Sequence, residues 1–152
     1  MTNWLTRIKQ DLANIVPAID YYETELTEAR KDISLRGNIE KHSRDMPGVV
    51  ENRFSQLQEI ESILEYLNIE MRKIRSAKFR KFLENYNKAL SSRDAEKYVD
   101  GDPDVVDQQH LINEFALLRN KFIGITKALD TKQFQLNNIV KLRAAGLEDV
   151  SL

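Results

Sequence analysis

Residues 50–93 read VENRFSQLQEIESILEYLNIEMRKIRSAKFRKFLENYNKALSSR. Val50, Phe54, Leu57, Ile60, Leu64, Leu67, Met71 and Ile74 recur at steps of three and four, the spacing that lays one apolar stripe along an α-helix. No stretch of this segment alternates with the period of two that a half-buried strand requires. The charge changes along the same helix: residues 51–70 carry a net −4 and residues 71–93 a net +7.

The same spacing extends on both sides. Upstream, Leu5, Ile8, Leu12, Ile15, Ile19, Tyr22, Leu26, Ala29 and Ile33 form a heptad-like seam. Pro17 lies within it and predicts either a kink near Val16 or two helices in series, because proline removes an amide donor and crowds the preceding turn. Met46-Pro47-Gly48 predicts a break. Downstream, Leu111, Phe115, Leu118, Phe122, Ile125, Leu129, Leu136 and Ile139 form a third seam. Ser91 to Asp107, rich in Asp and Ser with Gly101 and Pro103, predicts a loop whose Asp102 or Asp104 caps the last helix. That helix is expected to end near Gly146, with Lys141 and Arg143 in its final turns beside the negative end of the dipole. Gly124 falls inside it, and close helix packing is the expected reason.

The expected fold is all-α, a single domain over residues 1–152 forming an elongated antiparallel helical hairpin or three-helix bundle with coiled-coil-like seams. Its parts are an N-terminal heptad helix over 1–45, an acidic-to-basic helix over 49–90 and a C-terminal helix over 104–145. A helix of about 40 residues is roughly 60 Å long, whereas a compact chain of this size has a radius of gyration of about 15 Å. Such a rod leaves apolar stripe uncovered unless a second copy packs on it, so a homo-oligomer is expected.

Composition narrows the function. The formal net charge of −1 argues against coating nucleic acid through bulk charge, so any polyanion grip must be local and salt-dependent. Without cysteine there is no disulfide framework, thiolate chemistry or Cys-based zinc site. The N-terminal residues lack the apolar run of a secretion signal, and no segment approaches the length of a membrane span. A soluble, cytoplasmic protein is expected.

Candidate chemistry concentrates between Met71 and Arg93, where eight cations face one acid, Glu84, with Phe79, Phe82 and Tyr86 among them. Cations that follow phosphates, interleaved with aromatic planes that accept unstacked bases, are the means by which single strands are held. Aromatics at helical spacing also serve as core, and charge runs also serve as solvated faces, although a solvated face ordinarily mixes Glu with Lys at i, i+4. Elsewhere the signals are weak. Residues 100–107 resemble a calcium loop only superficially: proline interrupts the ligand run, and Leu111 stands where a bidentate Glu is needed. His42 and His110 lack metal-ligand spacing and are expected at the surface. No phosphate-cradling glycine loop, nucleophile elbow or catalytic carboxylate pair is present, so no enzyme, metal or cofactor is expected.

Asp102, Asp104, Val105, Phe115, Leu117, Gly124, Ala128, Phe134, Ile139, Arg143 and Ala144 fall in the order and spacing of the C-terminal part of UvsY-type recombination mediators of large tailed phages. The basic helix closing on Leu83-Glu84-Asn85-Tyr86 is similar to that family's cationic segment, with Asn85 in place of its second aromatic. The resemblance covers roughly residues 58–145. It implies a non-enzymatic accessory protein that binds single-stranded DNA, assembles as a ring and helps load a RecA-like recombinase onto strands covered by single-strand binding protein, in the host cytoplasm if phage-encoded. By position, Lys78, Arg80, Lys81 and Tyr86 match the family's DNA-binding segment; charge alone adds Arg72, Lys73 and Arg75. The alternatives are a structural coiled-coil protein, such as a virion or scaffold component, and an adaptor docking an acidic partner, neither with a nucleic-acid role.

Overall fold

The chain breaks first at Asp11, six residues before Pro17. In the computed structural model, which describes residues 3–85 and 91–147, helix α1 (Trp4–Gln10) is capped by Asn3, whose Oδ1 accepts the Thr6 amide at 3.2 Å. Asp11 is extended, and its carboxylate accepts the Ala13 amide at 3.0 Å to open a 3-10 turn, Leu12–Asn14. Helix α2 (Ile15–Asp32) follows directly. Pro17 is its third residue, within the first turn, where amides have no intrahelical acceptor and a missing donor costs little. Two helices in series is therefore the arrangement found. The break turns Leu12 out of the seam, leaving it 50% exposed.

The next connection also lies earlier than expected. Residues 33–38 leave α2 and turn at Gly37, whose φ of 99° lies in the left-handed region that favours glycine. Asn38 then accepts the Lys41 amide at 3.2 Å and starts α3 (Ile39–Asn85), which continues through Met46-Pro47-Gly48 without ending. A proline inside a helix costs about 3 kcal/mol. Here Pro47 faces solvent, where water can satisfy the carbonyl it leaves, while Met46 before it is buried and Val49 and Val50 after it pack on the core. Tertiary packing carries the helix across a local breaker.

The expected loop from Ser91 to Asp107 contains a short helix, α4 (Ser92–Asp100). Ser91 caps it by accepting the Asp94 amide at 3.2 Å, and Ala95 and Val99 are its buried side chains. After Gly101, Asp102 caps α5 (Pro103–Ala144) with Pro103 in its first turn, and Gly146 closes it at φ 71° with Lys141 and Arg143 in the last turn. The cap, the basic terminus and the end point are those expected from sequence.

All regular structure among the described residues is helical. Helices α3 and α5, of 47 and 42 residues, run antiparallel, so that His42 meets Lys132 at one end and Lys78 meets Asp104 at the other. Helices α1 and α2 close one side, and α4 packs mainly on α3. The buried stripe of Leu57, Ile60, Leu64 and Leu67 on α3 shares one core with Phe115, Leu118, Phe122 and Ile125 on α5 and with Ile8, Ile15 and Tyr22. The accessible surface is 10318 Å², against about 7,900 Å² for a compact monomer of this mass. The excess reflects an elongated bundle.

Within the core two polar groups are anchored with care. Tyr22 lies edge-on to Phe122 at 6.2 Å, and its hydroxyl donates to Glu59 Oε1 at 2.5 Å. Burial, then this carboxylate, pushes the phenol well above its ordinary value. Arg53, 6% exposed, occupies the inward position that the seam assigns to Phe54, which instead is 51% exposed. Its guanidinium pairs with Glu25 and Asp32 of α2 at 2.8 and 2.7 Å and also reaches Gln56. Two acids on α2 thus fix which residue of α3 turns inward.

Gly124 is exposed, and a Cβ built on it meets nothing within 4 Å, so close packing does not explain it. Gly124→Ala should stabilise the protein by up to about 1 kcal/mol in chemical denaturation; a loss of stability would show that the position is packed. Tyr22→Phe should cost about 1.5–3 kcal/mol near neutral pH, the range for a hydrogen bond to a charged group. The tyrosine's contribution is complete below the ordinary phenol value of 10.0. Above it the unfolded chain ionises while the folded chain keeps the proton, so stability falls as pH rises. The gap between wild type and Tyr22→Phe should therefore narrow above that pH; a constant gap would contradict the assignment.

Candidate polyanion interface

The cationic segment expected from sequence is divided by the fold into two sets. Met71 is buried, Ile74 is half-buried and packs against the core, and Phe79 and Phe82 also pack against it. Phe82 stacks on Tyr98 of α4, ring centres 5.6 Å apart. The described aromatics of this stretch therefore hold α3 to the bundle. Tyr86 lies outside the described residues.

Arg75 and Lys78 lie toward the packed side and are engaged by acids of the following elements. Arg75 Nη2 bonds Asp100 Oδ1 at the end of α4, at 2.7 Å. Lys78 Nζ is 2.9 Å from Asp104 and 3.5 Å from Asp102 at the start of α5. The hydrogen bond to Asp104 raises the Lys78 ammonium above its ordinary value, opposed by desolvation and helped by the charges of both acids. These two side chains, expected to grip a phosphate strand, instead tie the α4–α5 corner onto α3. The aspartates also account for residues 100–107: Asp102 Oδ1 accepts the Asp104 amide at 2.9 Å, making this segment a cap and an ion-pair station.

Of the other described cations of α3 in this stretch, Arg72, Lys73, Arg80 and Lys81 point outward. Lys73 and Arg80 are seven positions apart, two turns on one face, with Ser76 and Ala77 between them and all four exposed. Arg72 and Lys81 flank that row. Lys73 pairs with the half-buried Glu70 at 3.0 Å and Arg72 approaches the exposed Glu65 at 3.9 Å, both on the same helix. Surface pairs of this kind contribute little and exchange readily for other anions. Arg80 and Lys81 make no ion pair among the described residues.

A second cationic cluster, at the opposite end of the bundle, was not anticipated. His42, expected as an isolated surface residue, is half-buried and bonded on both ring nitrogens: Nδ1 lies 3.1 Å from Lys132 Nζ and Nε2 lies 2.6 Å from the Arg36 carbonyl. Lys132, 6% exposed, also donates to the Asp32 carbonyl at 2.5 Å. Burial pulls its pKa below the usual lysine value, against the opposing charges of Asp32 and Asp45. These residues line a cavity of about 350 Å³ at the α2–α3 connection. The sequence carries little sign of it, because Lys132 lies 90 positions from His42 and only the antiparallel pairing joins them.

Among the described residues no group of three or more His, Asp or Glu side chains is arranged to hold a metal ion. No described helix is long and apolar enough to cross a membrane. No protein-family model matches this chain, and neither the curated proteins nor the solved structures yield a match.

Proposed function

We propose that this protein is a non-enzymatic single-stranded DNA-binding accessory protein, a recombination mediator that helps load a RecA-like recombinase onto DNA covered by single-strand binding protein. The observation that supports the grip is the outward row of Lys73 and Arg80, flanked by Arg72 and Lys81, with only Ser76 and Ala77 between, so that a strand meets charge without steric obstruction. The resemblance of the basic helix and the C-terminal helix to UvsY-type mediators supplies the role. Arg75 and Lys78 are left out of the interface, since acids of α4 and α5 already hold them. In this mechanism copies of the chain assemble, repeat the cationic row as a multivalent surface, bend the strand across it and weaken the hold of the covering protein. The uncovered apolar side chains Phe134, Leu117 and Phe54, 71, 54 and 51% exposed, favour assembly.

The same engagement of Arg75 and Lys78 favours a second reading, a structural coiled-coil or adaptor protein whose cations serve the fold and a protein partner. Oligonucleotide titration separates the two. Binding of a labelled oligothymidylate should weaken with salt at a log-log slope near −2 per protomer if about three phosphates are engaged. The Arg80→Glu, Lys81→Glu double variant should lose most of that affinity, whereas Lys78→Met should retain it. No binding at low salt, or equal loss in both variants, would reject the interface. Light scattering at micromolar concentration should give a multiple of the 17.7 kDa chain mass; a monomer would reject the assembly step.

A further inference from the structure

The cavity at the α2–α3 corner is built around a buried ammonium whose direct hydrogen-bond partners are both neutral. Lys132 forms part of its wall from α5 and has no carboxylate within ion-pair distance among the described residues, although buried charges are ordinarily paired. An ammonium has three donors. One goes to the Asp32 carbonyl and one to His42 Nδ1, leaving the third without an acceptor among the described residues. Since His42 Nδ1 accepts from an ammonium, its Nε2 carries the proton and donates to the Arg36 carbonyl, so the histidine fixes both the lysine and the turn.

The acids near this cavity are the ones that could have supplied the missing charge. Asp32 is committed to Arg53, which bonds the same carboxylate oxygen through Nε at 2.8 Å and Nη2 at 2.7 Å. Asp45 lines the cavity and its charge favours the Lys132 ammonium, but it makes no ion pair among the described residues. Of the cations around the mouth, Lys31 is held by Glu28 at 2.9 Å, while Arg36 and Lys41 are exposed and unpaired among the described residues. The left-handed turn at Gly37 brings those two side chains to one rim, and the positive end of the 47-residue α3 begins there at Ile39.

We propose that this cavity binds a phosphate monoester, up to the size of a mononucleotide, with Lys132 contacting the phosphate from within and Arg36 and Lys41 closing on it from the rim. A phosphate dianion supplies both the charge and the acceptor oxygens that these donors lack. A cavity of about 350 Å³ is within the range that holds small ligands. The site lies at the opposite end of the hairpin from the outward row on α3 and does not depend on it.

The test is titration of the intact chain with thymidine 5′-monophosphate, thymidine and inorganic phosphate, followed by calorimetry and phosphorus NMR. The nucleotide and inorganic phosphate should bind at up to millimolar concentration and thymidine should not. Arg36→Ala with Lys41→Ala, both at the surface, should weaken nucleotide binding about tenfold or more, and Lys132→Met should abolish it in a chain whose circular dichroism is unchanged. Arg80→Glu with Lys81→Glu should leave it intact, which keeps this outcome separate from that of the oligonucleotide grip. A preference for 5′-phosphorylated over 5′-hydroxyl oligothymidylate would identify a strand end as the source of the phosphate; equal affinity for the two, with the mononucleotide still bound, would identify a free metabolite. Equal binding of thymidine and its phosphate, no binding of either, or an unaltered affinity in the rim variant would overturn the proposal.

Discussion

Everything in this molecule is positioned by the antiparallel burial of the apolar stripe of α3 against that of α5. Leu57, Ile60, Leu64 and Leu67 share a core with Phe115, Leu118, Phe122 and Ile125, each such side chain contributing about 1.5–3 kcal/mol when fully buried. Gln108 sets the register by donating to the Leu67 carbonyl at 2.9 Å. Once this pairing is fixed, residues far apart in sequence meet at both ends, and the chemistry of the two ends follows.

The charge segregation along α3 has one structural consequence at each stage. Its acidic half meets α1 and α2, where Glu59 accepts both the Tyr22 hydroxyl and the Trp4 amide. The buried Arg53 reverses the pattern by answering two acids of α2. Its basic half meets the acidic corner Asp100–Asp104, which takes two of the cations for the fold and leaves the outward ones to solvent. A run of one sign therefore signalled two different roles, separated by the direction in which each side chain leaves the helix.

That separation marks the boundary of what could be read from sequence. The helix class, the third seam and both ends of α5 were legible because 3.6-residue periodicity, Asp102 before Pro103 and Gly146 are local signals with local causes. The position of the first interhelix turn was not. Met46-Pro47-Gly48 carries the stronger breaker residues, yet the turn is made at Gly37, because buried Met46 and the packing of Val49 and Val50 outweigh the local cost of the proline. The inward Arg53 and the half-buried His42 were hidden for the same reason: the groups that hold them come from α2 and α5, so no window of α3 contains them. Among the candidate site residues, Arg72, Lys73, Arg80 and Lys81 are exposed as expected, Arg75 and Lys78 are turned to structural use, and Tyr86 lies outside the described residues.

The two ends of the hairpin solve the same electrostatic problem differently. At one end, the cations Arg75 and Lys78 project from a helix partly open to water, and the following elements supply three aspartates that pin α4 and the start of α5. At the other end, Lys132 is buried, Asp32 is committed to Arg53, Asp45 acts on it without an ion pair among the described residues, and neutral groups accept its hydrogen bonds. Positions 42 and 78 of α3 are about 54 Å apart at 1.5 Å per residue, far beyond the roughly 10 Å over which charges interact in about 0.1 M salt. Neither end can neutralise the other. The charge at the α2–α3 corner is therefore balanced only by groups of that corner, the carboxylates of Asp32 and Asp45 and whatever fills the cavity beside them.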